Sequence, residues 1–87
     1  MAQRHLPRRP ISAYYAQAIL DCAQVQGIPP GEIASAIGVA SDRLAKRARQ
    51  HRGIKKRHIR RATQYLEMSE SALRGWAYAL RLGALYY

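Results

Sequence analysis

Apolar residues recur at helical spacing in short runs, and Gly and Pro interrupt the runs so often that only a bundle of short helices is open to this chain. Residues 1–10 carry Pro7 and Pro10 without periodicity and read as a flexible arm. Ser12 stands where an N-cap belongs, ahead of a helix over about 12–26 whose inner face is Ile11, Tyr15, Ala18, Ile19, Cys22 and Ala23. Gly27 ends it. Pro29 and Pro30 suit the start of a second helix, where a missing N–H costs nothing. Ile33, Ala34 and Ile37 give that helix its inner face, and Gly38 stops it. Ser41 or Asp42 caps a third helix that runs to about Gln50 with Leu44 and Ala48 inward, and Gly53 ends it. A fourth, over about 55–66, buries Ile59, Ala62 and Leu66, with Ile54 just ahead of it and Tyr65 at its margin. Ser69 caps a fifth, with Glu70 in its first turn, and Leu73, Trp76, Ala77, Leu80 and Leu85 come after. Neither an alternating strand pattern nor an Asn-Gly or Asp-Gly hairpin signal occurs. The expectation is an all-α, compact five-helix domain over 11–87 behind the arm.

Charge sets the partner class. The 87 residues hold 15 Lys and Arg against 5 Asp and Glu, a net charge of +10. Self-repulsion of that size works against a compact state unless a polyanion relieves it. Apolar residues make up 48%, which a disordered basic tail would not carry. A domain this small buries only about 60% of its unfolded surface, so a partner subunit would help it. The single cysteine, Cys22, allows no internal disulfide, fits a reducing cytoplasmic compartment, and sits on the inner face of the first helix as a small apolar residue. No apolar stretch is long enough for a membrane span, and residues 11–20 lack a signal-peptide core, although the acid-poor N-terminus leaves a transit peptide open. Gly-rich phosphate loops, metal-ligand spacings and nucleophile elbows are all missing from the sequence, so it implies no enzyme, cofactor or metal.

The cations are concentrated. From Pro10 to Asp42 there is no Lys or Arg; between positions 43 and 61 there are ten, with no acid among them. The apolar residues threaded through that run make it one face of a folded surface. Lys55, Lys56 and Arg57 crowd the positive end of the fourth helix, and Lys56/Arg60 and Arg57/Arg61 are like-charge pairs one turn apart. Each placement costs a few tenths of a kcal/mol. Phosphates remove the conflict, because helix N-terminal amides and cations both bind them. Arg47, Arg52, Lys55, Lys56, Arg57, Arg60 and Arg61 therefore read as phosphate contacts, nucleic acid being the partner. His51 and His58 lie inside this block without a third ligand and read as phosphate or solvent contacts.

Ile33, Ala34, Ile37, Gly38, Val39 and Leu44 match the skeleton of a helix-turn-helix: a small residue at the crossing, a Gly at the turn, and apolar residues plugging the corner. The wider run GIPPGEIASAIGVASDRLAKRARQHRG, followed by IKKRHIRRATQYLEMSESAL, resembles the five-helix DNA-binding domain of the Cro and lambda-repressor type over about residues 16–77. Pro30, Asp42, Arg47 and Glu67 depart from that pattern; Glu67 stands where a Gly often ends the fourth helix. The resemblance implies a sequence-specific regulator of transcription that is cytoplasmic and nucleoid-associated, with double-stranded DNA as its partner and RNA polymerase as a further candidate. Its third helix, 41–50, would enter the major groove and present Ser41, Asp42, Arg43, Lys46, Arg49 and Gln50 to base edges. Ser41 would otherwise only cap, and Arg43 and Lys46 would otherwise hold phosphates. Arg4, Arg8 and Arg9 either follow a narrow minor groove or belong to a free tail.

Two further readings come from the C-terminal third. A shift of 29 residues lays Ile33, Ile37, Val39 and Leu44 onto Ala62, Leu66, Met68 and Leu73, so RRATQYLEMSESALRGWA is either a second helix-turn-helix or the closing helical pair of the first domain. The spacing favours the closing pair, and it turns Tyr15 and Trp76 toward the core. The stretch 76–87 is apolar nearly all round, more than one stripe needs. Trp76, Leu80, Leu82, Leu85, Tyr86 and Tyr87 are therefore expected to form a two-fold homodimer interface, unless Gly83 lets the tail fold back on its own core. Against the regulator stand two other classes: a structural nucleic-acid or RNA-binding protein without base readout, and an adaptor or inhibitor docking on an acidic protein.

Overall fold

The computed structural model describes residues 9–84. A 3-10 turn at Ile11–Tyr14 leads into α1 (Tyr15–Val25), after which come α2 (Pro30–Ile37), α3 (Ser41–Arg49), α4 (Lys56–Leu66) and α5 (Glu70–Ala84). The protein is all-α, and the five expected helices stand where the periodicity places them. Helix α1 packs on all four others. Every helix contributes to the core, whose largest fully buried side chains are Ile19, Ile33, Ile37, Leu44, Leu66 and Leu73.

The start of α1 differs from expectation. Ser12 caps nothing; Pro10, in extended geometry, precedes the tight turn, and the Ala13 N–H bonds to its carbonyl at 3.0 Å. A 3-10 turn has three residues per turn, so it rotates the faces of α1 relative to an unbroken α-helix begun at Ser12. Tyr14, not Tyr15, is consequently the buried tyrosine, at 6% exposure.

Four helices end in the same way. After α1, α2, α3 and α4 comes a residue in the left-handed region: Gly27 (φ 75°), Gly38 (φ 83°), His51 (φ 54°) and Glu67 (φ 54°). The next N–H then reaches back five residues: Ile28 to Ala23 at 2.8 Å, Val39 to Ala34 at 3.0 Å, Arg52 to Arg47 at 2.8 Å, Met68 to Thr63 at 3.0 Å. This is the Schellman closure, which satisfies helix-end carbonyls and favours Gly. His51, and not Gly53, therefore ends α3. The position where the resemblance calls for Gly holds Glu67 in the conformation that Gly would adopt.

The N-termini are less regular. Ala40, with no side chain to offer, precedes α3, so neither Ser41 nor Asp42 is its cap; the Asp42 carboxylate accepts from the adjacent Arg43 N–H at 2.9 Å. Lys55 precedes α4 in extended geometry instead of belonging to its first turn. Ser69 does cap α5, its hydroxyl accepting from the Ala72 N–H at 3.0 Å.

The repeat at a shift of 29 residues is present in three dimensions. Ile33/Ala62, Ile37/Leu66 and Leu44/Leu73 are buried pairs, Val39/Met68 are half-buried, and Gly38 and Glu67 share the left-handed conformation. The pair α4–α5 thus repeats the burial pattern of α2–α3, and its Ala62, Leu66 and Leu73 close the core. Trp76 departs from expectation: Leu73, Ala77 and Leu80 set the inward line of α5, and Trp76, about 100° away from Ala77 around the helix, is 39% exposed.

Candidate nucleic-acid interface

Helix α3 divides its surface three ways. Leu44 and Ala48 are buried. Asp42, Arg43, Lys46, Arg49 and Gln50 are exposed, as the reading of a polar outer face requires. Ser41 is exposed too, but it borders a hollow with Ala45, Pro29 and Pro30 on the α1 side, apart from the other five.

One side of α3 meets the start of α4 across a groove of about 580 Å³. Arg43 and Arg47 line one wall, Lys55, Arg57 and His58 the other, and the turn Gly38–Ala40 forms one end. The segments 41–50 and 55–61 therefore share a surface. Arg61 joins it: a Cβ built on Gly38 would come within 2.9 Å of its guanidinium, which lies over the turn between α2 and α3. Gly38 answers two demands, a left-handed φ and the close approach of a cation. Lys56 and Arg60 are exposed on α4, one turn apart.

Arg47 turns its departure from the family pattern into a structural part. It is half-buried, and its Nη1 donates to the Gly53 carbonyl at 2.9 Å, bracing the loop between α3 and α4. It also borders a second, larger hollow with Arg9, Arg49, Gln50 and Arg52. Arg9 reaches that hollow because Arg81 Nε, on α5, donates to its carbonyl at 2.9 Å. Nothing local in the sequence marks that contact, which joins residues 72 positions apart. Arg4 and Arg8 lie outside the described residues.

Three of the five acids spend their side-chain bonds away from these cationic side chains. Asp21 accepts from Gln17, Asp42 from the Arg43 backbone, and Glu32 from the Tyr65 hydroxyl. His58 records the resulting potential. Partial burial, and then the charges of Arg57, Arg61, Lys55 and Arg47, hold its pKa below the ordinary 6.5. His51, the other histidine of the basic block, does not contribute in the same way. Its ring packs against Tyr14 with centroids 4.9 Å apart, and it borders the larger hollow with Arg9, Arg47, Arg49, Gln50 and Arg52 rather than the α3–α4 groove.

Among solved structures the arrangement has a counterpart. The fold is shared with ClgR. The crystal structure of the clp gene regulator ClgR from Corynebacterium glutamicum matches with a TM-score of 0.76 over 92% of this chain and 85% of that one, at 15% sequence identity. The likeness is one of fold. No family model matches the chain, and no curated protein matches it in sequence.

Proposed function

We propose that this protein is a DNA-binding regulator of transcription. The observation that carries the reading is the groove in which the cations of α3 and of the α4 N-terminus converge with no acid among them. In this reading the outer face of α3 enters the major groove. Arg43, Lys46, Arg49 and Gln50 donate to base edges, and Asp42 accepts from cytosine. Arg47, Arg52, Lys55, Lys56, Arg57, Arg60 and Arg61 bind the flanking phosphates, helped by the unpaired amides that begin α4. Arg9, held by Arg81 beside the α3–α4 loop, starts an arm that carries Arg4 and Arg8 toward the adjacent groove. The shared fold with a protein described as a gene regulator supports the same reading.

Residues 11–87 act as one domain in this proposal, and two copies associate through the outer strip of α5. Tyr78 and Leu82 are 48% and 42% exposed there, with Trp76 at the edge of the strip and Leu80 turned inward. Leu85, Tyr86 and Tyr87, the rest of the expected interface, lie outside the described residues. A two-fold pair sets two α3 helices about one DNA turn, roughly 34 Å, apart on a near-palindrome. Selection from a random duplex pool tests the whole reading: a recovered, two-fold related motif is the expected result. Equal binding of all sequences at physiological salt replaces it with a structural role, and indifference to duplex together with capture of an acidic protein replaces it with an adaptor.

A further inference from the structure

One wall of the α3–α4 groove carries a charge that is not fixed. Arg43 and Arg47 stand on α3, Lys55 just ahead of α4, and Arg57 in its first turn. All four stay cationic at any physiological pH. His58, on the same wall as Lys55 and Arg57, is the lining residue whose charge can change. It is half-buried there.

The charged groups that act on this ring come from both helices. Arg47 does so from α3, and Lys55, Arg57 and Arg61 from the start and body of α4. The turn that closes the groove, Gly38–Ala40, brings no charged side chain. The acid of α3, Asp42, is not part of the lining, and its carboxylate is bonded to the Arg43 N–H. An empty groove is therefore a poor place for an imidazolium: burial, and then these cations, favour the neutral ring. A phosphate in the groove reverses that preference. It offsets the repulsion between neighbours and offers an oxygen to a ring N–H.

We propose that His58 is a phosphate ligand of the groove, and that a duplex binds there with uptake of a proton on this ring. The proposal rests on the DNA-binding reading. It adds a ligand outside the arginines and lysines, and a dependence on pH that fixed cations cannot supply. Linkage sets the sign: the bound form holds more protons, so affinity rises as pH falls, by at most about tenfold per pH unit for one proton.

The full chain is titrated into a labelled duplex of mixed sequence, followed by anisotropy at constant ionic strength from about pH 7 to about pH 5.5, the range in which histidine changes charge. Phosphodiesters, arginines and lysines keep their charges across that window, and thermal melts check that the chain is folded at each point. Wild-type affinity is expected to rise by about three- to tenfold on acidification, the effect of one proton taken up in part. The log–log salt slope should steepen at the acid end by up to about one unit, as the ring becomes a further phosphate-neutralising charge. His58→Gln, which keeps a donor without the charge, is expected to hold the weaker affinity at every pH, and His58→Lys the tighter one. Wild-type binding that ignores pH overturns the proposal and leaves the DNA-binding reading standing. So does a pH dependence that survives in His58→Gln, which assigns the proton to another group. Failure to bind duplex at every pH overturns both.

Discussion

Glu67 occupies a backbone conformation that a residue with a Cβ enters at a cost of about 1 kcal/mol or more, and its exposed side chain has no burial to offset that cost. Glu67→Gly is expected to stabilise the protein by about 1 kcal/mol, seen as a higher melting temperature. His51→Gly should gain less, because it also removes the ring packed on Tyr14. His58 reports the groove. Its folded pKa lies below the unfolded 6.5, so the neutral form favours folding above that value, and the contribution is lost as pH falls through the folded pKa. NMR titration should give a midpoint below 6.5 in the free protein that rises when duplex is added, as phosphates offset the four cations around the ring. Cys22 behaves in the opposite sense. Burial, and then the charge of Asp21, push its thiol from 9.0 up to about 11, so stability is full below 9.0 and falls as pH climbs through that interval. A series of melts from about pH 8 to about pH 11 should show this loss, and Cys22→Ala should flatten it. The inward placing of Cys22 and the strain at position 67 could both be suspected from spacing and from the family pattern. The fate of His51 could not, since its partner Tyr14 is 37 positions away.

At the scale of elements, the like-charge crowding at the start of α4 faces Arg43 and Arg47 of α3 across one groove. The two helices should nevertheless fail differently. Arg57→Ala or Arg60→Ala is expected to weaken every duplex alike and to reduce the log–log salt slope by about one unit, measured by anisotropy across a salt series. Arg43→Ala or Lys46→Ala should instead change which bases are preferred, by about 1–3 kcal/mol at the affected position. Helix bodies were legible because buried residues must recur with the helical period, and α1 to α5 all obey it. Helix ends were legible only where a local bond makes them, as with Ser69 and Ala72. Ala40 and Lys55 precede their helices without any side-chain bond, so no residue type announces them.

For the molecule as a whole, α5 is the element with two allegiances. Leu73, Ala77 and Leu80 belong to the core, while Tyr78 and Leu82 face away from it. Removing residues beyond Gly75 would take Ala77 out of the core as well, so self-association is better tested by Tyr78→Glu with Leu82→Glu. Sedimentation is expected to show the pair converting a dimer to a monomer with melting behaviour retained; an unchanged oligomeric state would place the interface elsewhere. No helix among the described residues is long and apolar enough to cross a membrane.

Composition and spacing alone determined that this chain is a set of five short helices with one strongly cationic stretch, because helical periodicity, Gly and Pro conformation and net charge act over a few residues at a time. Tertiary structure decided how the stretch is presented. It folded Arg43 and Arg47 against Lys55 and Arg57 around one groove, tied Arg9 to Arg81, turned Trp76 outward, and packed the His51 ring on Tyr14. Each of these depends on how helices distant in sequence cross, and a crossing is set by the shape of the shared core rather than by any neighbour along the chain.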